Sequence, residues 1–175
     1  MSGMQVRSWA LSMLGTRAGA GEGFDLVDQA LRATGHRSAA DFGDVTAMAN
    51  HVWGVPITLG SLAAGDVVQF LAYRIDVHAD WSDGTTFDGH EERTRHSAIV
   101  DSVGPGGEVF LLEQDVPPGR PVRRCRLFLT AGEFAAAVSA NLGAISDVPP
   151  PGSPTARLTV VLSGSLWYYR AVECS

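Results

Sequence analysis

His96-Ser97-Ala98-Ile99-Val100-Asp101-Ser102-Val103, Gly104-Pro105-Gly106-Gly107, Glu108-Val109-Phe110-Leu111-Leu112-Glu113-Gln114-Asp115-Val116 is the stretch that decides the fold. Two runs rich in β-branched and aromatic residues flank four turn residues, the pattern of an antiparallel hairpin. In the register of a four-residue loop, His96 and Glu113 share a sheet face as diagonal neighbours, close enough for side-chain contact. Outward from this hairpin, Gly65-Asp66 opens a strand over Val67–Tyr73, and Val122–Leu129 reads as another. Leu158–Leu162 and Leu166–Val172 around Ser163-Gly164-Ser165 read as a second hairpin. Asp76–Arg95 is a polar excursion with turn dipeptides at Asp83-Gly84 and Asp88-Gly89. Residues 131–142 suit a short helix, and Asp147–Pro154, with four prolines, suits a loop.

The N-terminal part carries helical spacing instead. Val6, Trp9, Ala10, Met13 and Leu14 fall on one side of a helix over residues 4–15, which Gly15 stops. After the loop Gly15–Gly23, a second helix over Phe24–Ala33 places Leu26, Val27, Ala30 and Leu31 together, with Gly35 as its stop. Residues 36–60 form a looser connection with a short helix near Asp44–His51. Helices followed by antiparallel strands predict one α+β domain over 1–175, without internal repeats.

The 175 residues are 45% hydrophobic and 18% charged, a globular composition. No apolar run approaches the roughly 20 residues of a membrane span. A net charge of −6 argues against nucleic acid as a partner, because phosphates must be neutralised. All 13 basic residues are arginine, which with abundant Ala, Gly and Val points to a GC-rich bacterial gene. Ala18-Gly19-Ala20 imitates a signal-peptidase site, but Trp9–Leu14 before it is short and broken by Ser12. The expectation is a cytoplasmic product starting near Met1, with export by a non-classical route left open. Cys125 and Cys174 make neither a disulfide framework nor a four-cysteine zinc site. Cys125 alternates with Leu127 and Leu129 as a buried small hydrophobe, and Cys174 is close to the end of the sequence.

Four segments in order carry a resemblance: Gly21-Glu22-Gly23-Phe24-Asp25-Leu26-Val27, Ala64-Gly65-Asp66-Val67-Val68-Gln69-Phe70, His96-Ser97-Ala98-Ile99-Val100 and Leu112-Glu113-Gln114-Asp115. The series resembles the NlpC/P60 and CHAP group of papain-like cysteine hydrolases. Its nearest branch is a cysteine-proteinase-like domain that ends certain fungal proteins, together with its bacterial relatives. The closing Trp167-Tyr168-Tyr169-Arg170 is similar to that branch as well. The resemblance spans most of the chain except 76–95 and about 131–154. It implies a papain-like fold in which a thiol at a helix N-terminus attacks an amide. Gly23 stands at the nucleophile position, His96 at the base, and Glu113 or Gln114 at the group that orients the base. Glycine has no attacking atom, so thiol chemistry cannot run at position 23.

Three functions follow from these residues. The first is a catalytically degenerate domain that binds a peptide, a cell-wall fragment or a protein in a residual cleft. The second is a cysteine amidase or peptidase whose nucleophile was changed to Gly23. The third is a hydrolase in which His96 and Glu113 activate water. No cofactor is called for. Asp76, His78 and Asp80 alternate and would share a strand face able to bind a divalent metal, although a solvated acidic loop is the preferred reading. Arg120, Arg123, Arg124 and Arg126 read as a solvated strand face or a protein contact. Asp25 reads as a dipole-compensating residue of the first helical turn, and Asp66 as a turn residue.

Overall fold

The computed structural model describes residues 2–139 and 144–175. Two helices, α1 (Ser2–Ser12) and α2 (Gly23–Ala33), precede seven strands among the described residues. These are β1 (Val55–Ile57), β2 (Val67–Asp80), β3 (Thr86–Val103), β4 (Glu108–Glu113), β5 (Arg123–Phe128), β6 (Gly132–Ala137) and β7 (Thr155–Arg170). They form one sheet in the order β1-β7-β2-β3-β4-β5, with β6 also on β7, and all pairings are antiparallel. The chain is therefore α+β. No described helix is long and apolar enough to cross a membrane.

Each face of the sheet has its own core. On one, Val6 and Ala10 of α1 and Leu26, Val27, Ala30 and Leu31 of α2 pack on Val67, Ile99, Leu112 and Tyr169. On the other, the sheet curls around Phe70, Tyr73, Val100, Leu111, Leu127 and Leu158. The curl brings Phe128 of β5 onto Phe134 of β6, with ring centroids 4.6 Å apart.

The inner core takes Val68 and Phe70 from β2, but Tyr73, Ile75, Val77 and Ala79 further along. Inward residues thus change from even to odd numbers, which requires an irregularity in the strand. It lies at Ala72, where φ is 49° and the β2–β7 pairing shifts between Leu71 and Arg74. Across from it, Gly164 has φ 90°, and a Cβ there would collide with the Ala72 carbonyl. Only glycine fits both demands.

Several expectations are corrected by this sheet. Residues 76–95 are not a loop: they belong to the long β2–β3 hairpin, because Ile75, Val77 and Ala79 alternate into the inner core. Asp83-Gly84 does lie in its turn, where Gly84 donates to the Trp81 carbonyl, but Asp88-Gly89 is inside β3. Ser163-Gly164-Ser165 lies inside one continuous β7, opposite the β2 bulge at Ala72, and is not the turn of a hairpin. Residues 132–137 are β6 instead of helix, since pairing with the edge of β7 outweighs an alanine-rich helix propensity. The rest of that expected helix partly lies outside the described residues. No helix forms over 44–51, while a 3₁₀ turn occupies Ala39–Asp41. Helix α1 ends at Ser12 rather than 15, with Leu14 exposed. Strand β4 stops at Glu113 instead of Val116, because Gln114 is drawn into another contact.

Candidate functional site

Loop 15–23 delivers α2 to the sheet, and two side chains shape its end. Gln114 accepts a hydrogen bond from Ala18 N–H at 3.0 Å and donates to the carbonyls of Ala18 at 2.9 Å and Glu22 at 2.5 Å. Asp25 accepts from the N–H groups of Gly21 and Glu22, both at 3.1 Å, closing the first turn of the helix. Gln114 is fully committed to this loop and does not orient His96. Asp25 caps the helix end as well as complementing its dipole.

Gly23 then sits buried at the N-terminus of α2, against β3. A Cβ on Gly23 would lie 2.6 Å from both Nδ1 and Cε1 of His96 and 2.9 Å from the Ser97 carbonyl oxygen. The imidazole therefore occupies the room that any side chain at position 23 would need.

On its far side, His96 Nε2 lies 3.2 Å from Glu113 Oε2. The approach is off the hydrogen-bonding axis of the ring, so it is a close polar contact rather than a formed hydrogen bond. The His96–Glu113 diagonal is thus present, and it belongs to a buried charge cluster that the sequence did not disclose. Arg93, itself without exposed side-chain surface, grips Glu113 through two nitrogens at 2.9 and 3.1 Å. Arg123 adds a third contact at 2.9 Å. Arg93 continues to Glu91 at 3.0 Å, and Arg123 to Ser146 Oγ at 2.7 Å and Asp147 at 3.2 Å.

Burial pushes the Glu113 pKa up, but the His96 contact, Arg93 and Arg123 outweigh it and hold the carboxyl well below the usual range. Glu113 is therefore a carboxylate whose oxygens are already claimed by guanidiniums, an anchor for His96 rather than a proton carrier. A carboxylate on the otherwise apolar run Val109–Leu112 is the one signal in the sequence that called for partners. Arg93 was missed because it stands in the segment read as a loop.

A cleft of about 440 Å³ opens beside Gly23, lined by Phe24, His51, Gln69, Arg95 and His96 among others. Phe24 meets His51 edge-on at 4.8 Å and Trp53 at 5.2 Å. Gln69 accepts from Trp53 Nε1 at 2.8 Å and Ser97 Oγ at 2.7 Å, which fixes the floor. Burial, with Arg95 nearby, lowers the pKa of His51 and favours its neutral ring. A second groove of about 510 Å³ flanks β3 and shares Arg95, His96 and Asp115 with the cleft.

The remaining candidates lie elsewhere. Asp76 is paired with Arg74 at 2.8 Å, and His78 stands between Asp88 at 2.6 Å and Asp80 at 3.3 Å. They occupy the outward face of a strand, not a loop. Among the described residues, no group of three or more His, Cys, Asp or Glu side chains is arranged to hold a metal ion. The arginine run is only partly a solvated face: Arg123 is in the buried cluster and Arg126 donates to the Ala137 carbonyl at 2.6 Å, whereas Arg124, paired with Asp101 at 2.6 Å, and Arg120 are exposed. Asp66 is more than a turn residue, because Arg170 grips it at 2.9 and 3.0 Å. Cys125 is buried in the inner core, which pushes its thiol pKa up, and neither cysteine lines the cleft. Compared with protein-family models, curated proteins and solved structures, the chain has no match.

Proposed function

We propose that this chain is a catalytically silent papain-like domain of the NlpC/P60 type, which holds an amide-bearing ligand in its cleft without cutting it. The ligand class is a peptide or a peptide fragment of the cell wall. One observation carries the reading: the ring of His96 lies 2.6 Å from where the Cβ of a residue at position 23 would stand. A base, its carboxylate neighbour and a helix N-terminus converge on a point where no nucleophile stands and where the imidazole has taken the space of one. The four motifs in order support the family, and the cleft beside Gly23 supports retained binding.

The same overlap weighs against an active amidase that merely received a glycine, since its thiol would need His96 withdrawn. Activation of water by the His96–Glu113 pair is disfavoured because two arginines already hold the carboxylate.

The test has two arms. The unaltered chain, incubated with peptide and cell-wall-peptide amides, should release no product by mass spectrometry; turnover that depends on His96 would overturn the silent reading. In a Gly23→Cys variant, the helix N-terminus and the displaced imidazole both favour the thiolate. Iodoacetamide should therefore label position 23 at pH 6 faster than Cys174, and His96→Ala should slow it. Labelling that rises only near the ordinary thiol pKa of about 8.5, whatever stands at 96, would remove the argument for a former catalytic site.

A further inference from the structure

Strand β3 has 18 residues and β4 only six. Their pairing ends at Ile99 opposite Leu112, after which β4 runs out at Glu113 and the chain turns toward loop 15–23. From Thr86 to Ser97, β3 has β2 on one side and, among the described residues, no strand on the other. The wedge between the diverging strands is floored by Arg93, Glu113, Arg123 and Glu91. Above it runs the groove of about 510 Å³, with residues 90–96 on one wall and Asp115, Pro117, Arg123 and Ala144 opposite.

The backbone of this edge is turned outward in a defined way. Val100, whose side chain faces the inner core, donates its N–H to the Asp66 carbonyl, toward β2. In a strand, the face a side chain takes and the lateral direction of its backbone groups alternate together. Residues of the opposite face therefore aim their N–H and C=O away from β2. Ser97 does so, its carbonyl facing Gly23; between His96 and Arg93 the inward phase of β3 changes from even to odd numbers, so His90 and Glu92 are the outward residues beyond it and aim the same way. The Glu92 carbonyl receives a long 3.3 Å contact from the Arg93 guanidinium.

We infer that this edge is a strand-addition site: an extended, uncharged peptide segment pairs with β3 over residues 90–96 and reaches His96, where the groove meets the cleft. Unpaired strand edges take up extended chains through main-chain hydrogen bonds. The charges beneath the groove are paired with one another, Glu92 on its wall is paired with Arg74, and Arg95 and Asp115 carry opposite signs, so the site asks for a ligand without net charge. The two cavities share Arg95, His96 and Asp115, so one extended chain can span both. The inference rests on the binding function proposed above and adds the geometry of the ligand.

The experiment is selection of displayed, uncharged heptapeptides on the intact chain, followed by amide hydrogen exchange. In the free chain, the amides of His90 and Glu92 should exchange much faster than those of Arg93 and Glu91, which face β2. A selected peptide should slow them by about tenfold or more. Methylating alternate backbone nitrogens of that peptide should weaken binding by about tenfold. His90→Pro should do the same, because proline removes only the outward N–H; the methylated peptide gives the same answer if that variant does not fold. Equal protection of all four amides in the free chain would overturn the inference. So would peptides that protect Gly23 and Phe24 while leaving His90 and Glu92 unchanged, an outcome in which the cleft still binds. Hydrolysis of a peptide that does protect the β3 edge would instead sink the silent reading and leave strand addition standing.

Discussion

Replacing Glu113 by Gln keeps the shape of the side chain and removes the charge at the centre of the buried cluster. Three cationic or ionisable partners lose their counter-charge at once: Arg93, Arg123 and His96. An uncompensated buried charge costs about 3–5 kcal/mol. Arg93 keeps Glu91 and Arg123 keeps Asp147, so the loss belongs at the lower end, about 3 kcal/mol. With a urea slope of about 2 kcal/mol per M, the midpoint should fall by about 1.5 M, read from tryptophan fluorescence. Glu113→Leu combined with Arg93→Met removes the pair together with its desolvation, and should cost less than the two single changes added. The acid limb provides an independent readout. The folded-state pKa of Glu113 lies below the 4.5 of the free side chain, so the unfolded chain takes up this proton first as the pH drops. The stability that Glu113 provides above pH 4.5 is then lost as the pH falls toward its folded-state value. Glu113→Gln should lack that part of the slope. A loss below about 1 kcal/mol, the scale of an exposed pair, with the acid slope unchanged, would refute the buried cluster as the anchor of His96.

Gly23→Ala should cost about 1–3 kcal/mol by overpacking and shift the His96 ring resonances, because the new methyl enters the space of the imidazole. Gly164→Ala should cost about 1–3 kcal/mol in thermal unfolding, since position 164 combines a positive φ with the Ala72 carbonyl. Gln114→Ala strips partners from Ala18 and Glu22; it should cost about 2 kcal/mol and speed exchange of the Ala18 amide, leaving that of Leu31 in mid-helix unchanged.

Local signals were legible where one residue's surroundings are set by its neighbours in sequence. Helix α2 follows from Leu26, Val27, Ala30 and Leu31 with Gly35, and the β3–β4 turn follows from Gly104-Pro105-Gly106-Gly107. The diagonal between His96 and Glu113 is the one a four-residue-loop register gives, but the strands pair Val103 with Val109 beside the turn and reach that register only through a shift between Val100 and Ser102. The failures share a cause in pairing across long separations. Ile75, Val77 and Ala79 do alternate with charged residues, yet the phase breaks at Ala72, and density of charge drew the eye to a loop. Gly164 looks like a turn until Ala72, 92 positions earlier in the chain, is set against it. Arg93 and Arg123 are surface residues by type, and only a buried carboxylate between them reverses that.

The position of β7 has a consequence for synthesis. It is the last strand of the sheet in the sequence, yet it lies inside, between β2 on one side and β1 and β6 on the other. Among the described residues, neither β1 nor β6 pairs with any other strand. While the chain emerges from the ribosome, a meander of β2 to β5 can zip in order, but residues 67–80 keep one whole side unpaired until 155–170 appear. Throughout that interval an open edge, ready to take another chain, accompanies translation. Premature termination between residues 138 and 154 leaves both β1 and β6 without a partner, so loss of β7 dismantles pairings that involve three other strands.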